Sequence, residues 1–111
     1  MNASEHPVTV VLTTIGPGAD AAALARALVE ERLAACVNVL PIMASTYRRK
    51  GKVEHDREQQ LVIKTAPARL AALESRLREL HPYELPEFVV LTGRGSTAYA
   101  RWVGASVAPE G

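Results

Sequence analysis

The residues best suited to chemistry lie together in one stiff segment, His81-Pro82-Tyr83-Glu84-Leu85-Pro86-Glu87. It combines an imidazole, a phenol and two carboxylates, groups with which proteins bind divalent metals, transfer protons or form subunit contacts. The two prolines fix φ and exclude a helix, so the polar groups are held at a low cost in conformational entropy. Two interpretations stay open: His81 contacts a metal or another ligand, or it stabilises a turn through a hydrogen bond to the backbone.

Three side chains are candidate metal ligands: His81, Glu84 and Cys36. His81 is the strongest candidate, because imidazole binds borderline metals such as copper and zinc. Glu84 would supply a carboxylate oxygen, or would instead form an ion pair with a neighbouring subunit. Cys36 lies in a predicted strand, where a free cysteine often packs as a small hydrophobic residue, so a structural role and a metal-binding role both stay open. No paired acid and base indicates catalysis, and we expect no enzymatic activity.

Charged residues are concentrated in one predicted hairpin, where a basic cluster is followed by an acidic one. The basic residues are Arg48, Arg49, Lys50 and Lys52, and the acidic residues are Glu54, Asp56 and Glu58. Opposite charges this close together predict local ion pairs on a solvated face, and attraction of a phosphate-bearing ligand to the basic cluster is the less favoured alternative. The net charge of +1 and the pI of about 8.0 are too low to indicate a nucleic-acid-binding domain.

Length and composition predict one soluble globular domain over residues 1–111. A hydrophobic content of 48% with 23% charged residues excludes wholesale disorder. No apolar run approaches the roughly 20 residues of a membrane helix, so no membrane contact is expected. The lone cysteine cannot form an internal disulfide and the N-terminus lacks a secretory pattern, which together favour the cytoplasm. Residues 1–6 and 105–111 are expected to be frayed.

Hydrophobic periodicity in the first half of the chain predicts strands around one helix. Val8–Thr13 alternates as a strand covered on both sides, and helical spacing then predicts a helix over about Ala21–Leu33. An extended run begins at about Ala35, in which Pro41 suggests a bulge or an edge position. A second extended run covers Val53–Thr65.

The second half of the chain repeats this pattern. Leucines at positions 70, 73, 77 and 80 predict an amphipathic helix that ends at His81, with Pro67 in its first turn and Thr65 as its side-chain cap. Phe88–Leu91 is predicted as a buried strand, and Ser96 as the cap of a short final helix. The order predicts an α+β fold of the ferredoxin-like type, βαββαβ with a C-terminal helix. Both main helices should cover one face of a four-stranded antiparallel sheet.

The hairpin between the second and third predicted strands is too long for a closed monomer. It covers about Ala35–Thr65 around a turn at Gly51, which allows arms of about 13–15 residues against about 5–6 for a typical strand. The projecting part carries apolar side chains such as Ile42 and Val53, and an apolar exposed edge invites aggregation unless it is paired. We therefore expect an oligomer in which edge strands pair between copies.

Several short motifs occur in order along nearly the whole chain, from Val8 to about Val103. They are Leu12-Thr13-Thr14, the stretch LVEERLAACVN at 28–38, Ser45-Thr46-Tyr47, Gly51-Lys52-Val53-Glu54, Ile63-Lys64-Thr65, the segment 81–87 and Tyr99-Ala100-Arg101-Trp102. Together they resemble the CutA family of divalent-cation tolerance proteins. The resemblance implies a stable homotrimer of ferredoxin-like subunits, similar in architecture to PII signalling proteins, whose long hairpins pair between subunits. It also implies an association with copper tolerance and divalent-metal binding, without an established catalytic activity.

The copper-site pattern that this resemblance implies is incomplete here. The bacterial pattern has a cysteine in the first strand and two histidines before Pro-Tyr, whereas this chain has Thr13 at the strand position and Leu80 at the first histidine position. His81 is the ligand of the pattern that remains. Arg49 also departs from the family, which usually has an aromatic residue at that place in the hairpin.

Two functions from different classes therefore stay open. The first is a cytoplasmic homotrimer that binds a divalent metal, copper or zinc, in metal tolerance. The second is a PII-like sensor or adaptor that binds a small anionic ligand between subunits and signals to a protein partner. Equilibrium binding of metals and of nucleotides would separate the two.

Overall fold

The computed structural model describes residues 6–110, which form a five-stranded sheet and three α-helices. In chain order the elements are β1 (Pro7–Ile15), α1 (Ala21–Glu30), β2 (Cys36–Val39), β3 (Met43–Arg49), β4 (Lys52–Thr65), α2 (Leu70–Leu80), β5 (Val89–Arg94) and α3 (Thr97–Val107). The strand order is β2-β4-β1-β5, and β3 pairs with the outer half of β4. All of these pairs are antiparallel. The predicted α+β ferredoxin-like fold is confirmed, with one strand more than expected.

The additional strand arises at Pro41, which divides the predicted second strand in two. Leu40 still donates its N–H to the carbonyl of Gln60 at 2.9 Å, but proline has no N–H with which to continue the ladder. Pairing with β4 resumes at Met43, which lies opposite Glu58. The irregularity expected at Pro41 is therefore a complete break between β2 and β3.

The predicted turn of the hairpin lies at Lys50 and Gly51. Both residues have positive φ values, 50° and 77°, as the two-residue turn that best suits a twisted hairpin requires. The register places Arg49 opposite Lys52 on either side of this turn. From there β4 runs for 14 residues, first through the projecting ribbon and then through the core, where Ile63 lies between β1 and β2.

The first helix ends earlier than predicted, at Glu30 instead of Leu33. Arg32 takes a left-handed conformation, with a φ of 59°, and its N–H donates to the carbonyl of Val29. The N–H of Leu33 reaches back to the carbonyl of Leu28 at 2.9 Å, which completes a Schellman motif. Glycine usually marks such an ending, so the sequence here lacks the usual signal.

The two predicted helix caps have different outcomes. Ser96 caps α3 as expected, because its hydroxyl accepts a hydrogen bond from the N–H of Tyr99. The prediction for Thr65 is wrong. Its hydroxyl instead donates to the carbonyl of Leu33 at 2.8 Å, and a 3-10 turn, Pro67–Arg69, precedes α2 without a side-chain cap.

The main core lies between the sheet and helices α1 and α2. Its fully buried side chains are Val11, Leu28, Leu61, Ile63, Leu73 and Leu77. A second cluster joins α3 to β1 through Val8, Val103 and Val107. Because Val8 and Val11 occupy opposite sets of alternating positions, α3 covers the other face of β1. Val107 is buried within α3, so the fraying expected from residue 105 is wrong for residues 105–107. Residues 1–5 and 111 of the predicted tails lie outside the described residues.

The last strand departs most from the burial that its sequence predicts. The apolar run at Phe88–Leu91 predicts a buried strand, and a strand is present from Val89. Its side chains are nevertheless exposed, by 44% at Val89, 37% at Val90 and 48% at Leu91. The predicted burial is therefore wrong for a single chain. Within residues 6–110, no helix combines the length and the apolar character that crossing a membrane requires.

Candidate functional site

His81 is buried directly after the end of α2, with 6% of its surface exposed. Its ring Nε2 lies 2.6 Å from the carbonyl oxygen of Thr14, and its Nδ1 lies 3.1 Å from the amide nitrogen of Tyr83. A carbonyl can only accept and an amide N–H can only donate, so the ring is neutral and carries its proton on Nε2. Both ring nitrogens thus have backbone partners, which is the geometry of the turn-stabilising interpretation.

Tyr83 connects this turn to the hairpin. Its ring lies beside that of His81, with centroids 4.8 Å apart, and its hydroxyl donates to Oε2 of Glu58 on β4 at 3.2 Å. Partial burial, followed by the negative charge of Glu58, raises the pKa of Tyr83 to about 12. A raised pKa favours the protonated phenol, so Tyr83 remains a donor to Glu58 until the pH rises through about 12.

A second phenol and carboxylate pair joins β3 to β4 further out along the hairpin. The hydroxyl of Tyr47 donates to Oδ2 of Asp56, and this hydrogen bond raises the pKa of Tyr47. Glu54, Asp56 and Glu58 occupy alternate positions and therefore share one face of β4. The ion pairs predicted between these carboxylates and the basic cluster are absent. Within residues 6–110, each salt bridge joins residues outside the hairpin.

Gln60 connects the C-terminal end of the segment 81–87 to the sheet through hydrogen bonds. Its Nε2 donates to the carbonyl of Thr13 at 3.1 Å and to Oε2 of Glu87 at 2.9 Å. The segment is therefore fastened to the sheet at both ends, and Leu85 between them is 90% exposed. The sequence alone does not indicate the roles of Gln60 and Glu58, because only the register of β4 brings them beside this segment.

One chain does not bring the three predicted metal ligands together. Cys36 lies in the same row of the sheet as Val10, whereas His81 contacts the carbonyl of Thr14. Four residues of β1 separate these rows, about 13 Å at about 3.3 Å per residue. Glu84 is exposed. In the described part of the chain, no three His, Cys, Asp or Glu side chains form a group that could hold a metal ion. Residues 6–110 of a single chain therefore do not fit a closed metal site.

Comparison with known proteins identifies the family to which the chain belongs. The family model described as CutA1 divalent ion tolerance protein matches residues 9–106. The chain belongs to the CutA1 family.

Individual CutA1 relatives agree with this assignment. The protein CutA homolog of Xenopus laevis is 47% identical over 88 residues, which are 78% of this chain and 58% of the relative. The chain thus spans little more than half the length of that relative. The solved divalent cation tolerance protein (Cut A1) of Thermus thermophilus is 41% identical, with a TM-score of 0.85 over 91% of this chain and 99% of that one. The structure titled PII-like protein CutA from Nostoc sp. is 36% identical, with a TM-score of 0.84 over 90% and 97%.

Thr13 and Leu80, the two positions at which the expected copper-site pattern is incomplete, are packing positions in this chain. Thr13 is fully buried on the helix-facing side of β1, together with Val11 and Ile15, and its hydroxyl has no hydrogen-bond partner within residues 6–110. Leu80 packs against the main core at the end of α2. Both places therefore contribute to the hydrophobic interior here.

Proposed function

We propose that this chain acts as a homotrimer in divalent-cation tolerance and binds copper or zinc with side chains from more than one subunit. Membership of the CutA1 family supports the tolerance role. The observation that best supports the proposed trimer is apolar surface that is exposed along two edges of the sheet. It comprises Val39, Leu40 and Ile42 around the Pro41 break, and Val89, Val90 and Leu91 on β5. The proposal assigns no catalytic step to the chain.

The topology supports pairing between copies. In the sheet order β2-β4-β1-β5, the strands β2 and β5 lie at opposite edges. Different edges that meet between neighbouring copies make a heterologous contact, and such contacts close into rings when the rotation permits. The radius of gyration is 15.0 Å, larger than the roughly 13 Å of a compact chain of this length. The projecting hairpin accounts for the excess, and its apolar edge around Pro41 would be covered in such a ring, while its charged tip would stay exposed.

Light scattering coupled to size-exclusion chromatography tests the assembly. We expect a mass about three times the 12.0 kDa of one chain. Leu91→Lys should reduce this mass, because it places a charge on the exposed apolar edge of β5. Val29→Lys on the outer face of α1 is the matched control and should leave the mass unchanged, since Val29 has a similar exposure of 42%. A monomer at micromolar concentration would contradict the proposal.

Metal binding across subunits follows from the separation of the candidate ligands. His81, Glu84 and Cys36 enter this proposal as contributions from different subunits. His81 would have to exchange the N–H of Tyr83 for the metal, so it is the most costly of the three to recruit. Nitrogen and sulfur donors favour copper or zinc over magnesium or calcium. Water would complete the coordination, and we expect a modest affinity.

Isothermal titration of the assembled protein with copper or zinc salts tests this site. Glu84→Gln and Cys36→Ser should each weaken binding by about tenfold or more, as the loss of even a supporting group does at metal sites. Glu79→Gln is the control, because Glu79 is an exposed carboxylate of α2 outside the site. The Leu91→Lys variant should bind little metal if ligands from separate subunits are required. Full affinity in both ligand variants would refute the assignment.

A second function is favoured by the resemblance to the Nostoc structure titled PII-like protein CutA. A PII-like sensor would bind a small anionic ligand between subunits and signal to a protein partner. Isothermal titration separates the two functions. A PII-like sensor should bind nucleotides measurably and show no heat of binding with copper or zinc salts.

We place either function in the cytoplasm, with neither nucleic acid nor a membrane as a partner. The support is Cys36, which is a free and partly exposed thiol, as is usual in reducing compartments. Fractionation of cells that express the tagged chain tests this placement.

A further inference from the structure

We propose that the tip of the β3–β4 hairpin binds soluble anions that carry two or more adjacent phosphate groups. The tip is defined by four exposed basic residues, Arg48, Arg49, Lys50 and Lys52. This site lies apart from the metal ligands discussed above, and it does not depend on the proposed tolerance function.

The fold forces positive charges together at this tip. Arg49 and Lys52 are direct cross-strand neighbours, whose Cβ atoms lie about 4.5–5.5 Å apart in such a pair. Like charges in this position repel each other. The tight turn prevents the two strands from separating, and Nη1 of Arg48 donates to the carbonyl of Gly51 at 3.3 Å. The repulsion is relieved when an anion lies between the cations.

The carboxylates of the hairpin do not neutralise the tip. Asp56 accepts a hydrogen bond from Tyr47, whose hydroxyl also interacts with the side chain of Arg49, and Glu58 accepts one from Tyr83. Glu54, the third carboxylate, forms no salt bridge with a residue of the tip within residues 6–110. On the helices the pattern is different. Arg26 and Glu30 form an ion pair at 2.6 Å, and Arg78 and Glu74 form one at 2.7 Å, whereas no salt bridge within residues 6–110 includes a residue of the tip.

Short polyphosphates fit this arrangement better than other anions. A guanidinium binds phosphate through two parallel hydrogen bonds and lysine adds a point charge, so adjacent phosphates can engage Arg49 and Lys52 together. The carboxylates further down β4 repel a long polyanion such as a nucleic acid. Val53 is an exposed apolar side chain beside the tip, but one valine is too little to anchor the chain in a membrane.

Calorimetric titration of the assembled protein with inorganic tripolyphosphate at low ionic strength tests the proposal. We expect binding that weakens with added salt and exceeds the binding of orthophosphate. The double variant Arg49→Gln/Lys52→Gln should lose about tenfold or more in affinity. The control Arg26→Gln/Arg78→Gln removes the same charge from the helices and should retain the affinity within about twofold. Circular dichroism checks the fold of each variant, and Lys52→Gln alone replaces the double variant if that does not fold.

Several outcomes would overturn this inference. Tripolyphosphate could fail to bind, or both double variants could lose the same affinity, which would show an effect of net charge alone. A second arm uses vesicles that contain phosphatidylinositol bisphosphate. Vesicle binding that tripolyphosphate cannot displace would identify a lipid headgroup as the ligand instead of a soluble anion. Loss of metal binding in Glu84→Gln has no bearing on these results, because that residue is not part of the tip.

Discussion

Replacing His81 with alanine is expected to lower the free energy of unfolding by about 2–4 kcal/mol, because each buried group left without a partner costs about 1–3 kcal/mol. The change removes both hydrogen bonds of the ring and leaves the carbonyl of Thr14 and the N–H of Tyr83 to find new partners. Chemical denaturation at a fixed protein concentration measures the loss. Hydrogen exchange at the amide of Tyr83 should accelerate in the same variant.

Glu84→Ala is the matched control for this experiment. Glu84 lies three residues further along the same segment, is exposed, and has no hydrogen bond or salt bridge to another described residue. We expect its replacement to change the free energy of unfolding by no more than about 0.5 kcal/mol. Equal effects of the two substitutions would contradict the fastening role of His81.

The same substitution is expected to have opposite effects at two buried threonines. Thr65→Val should destabilise the protein by about 1–3 kcal/mol, because it removes the hydrogen bond to the carbonyl of Leu33. Thr13→Val should stabilise it by about 1 kcal/mol, because the buried hydroxyl of Thr13 has no partner within residues 6–110 and valine removes its desolvation cost.

These two variants control for each other. Both threonines are fully buried in adjacent strands of one sheet, so the change in volume and in β propensity is the same. Unfolding curves at one protein concentration compare them directly, because the unfolding midpoint of an oligomer would depend on the concentration. A loss of stability in both variants would contradict the absence of a partner for the hydroxyl of Thr13.

Much of the fold could be predicted because local signals and packing agree. The leucine spacing predicts the buried face of α2, and the serine before α3 predicts its cap. Both depend on residues close together in the sequence. The end of α1 could not be predicted, since Arg32 adopts a conformation that usually marks glycine. The hydroxyl of Thr65 was similarly ambiguous. A threonine before a helix can cap it, but here a carbonyl of a distant loop is the better placed acceptor.

The candidate site was less predictable than the fold because its interacting residues are far apart in the sequence. The polar segment 81–87 could be identified from the sequence, but the partners of its side chains lie in β1 and β4. Thr14 is 67 residues from His81, and Glu58 is 25 residues from Tyr83. The burial of β5 was mispredicted because an apolar run in the sequence does not reveal whether other residues of the same chain cover the strand. In the single chain its side chains are exposed.

The strand β4 also sets the dimensions of the molecule. At about 3.3 Å per residue its 14 residues span about 46 Å, which equals the longest extent of the chain, 46 Å. Side chains alternate along it, so one inserted residue in the outer half would turn every later side chain to the opposite face. Two residues added to each arm would move the tip outward and keep its orientation. The hairpin can therefore change length in evolution when both arms gain or lose an even number of residues. Homologues with longer or shorter hairpins should differ by the same even number of residues in each arm.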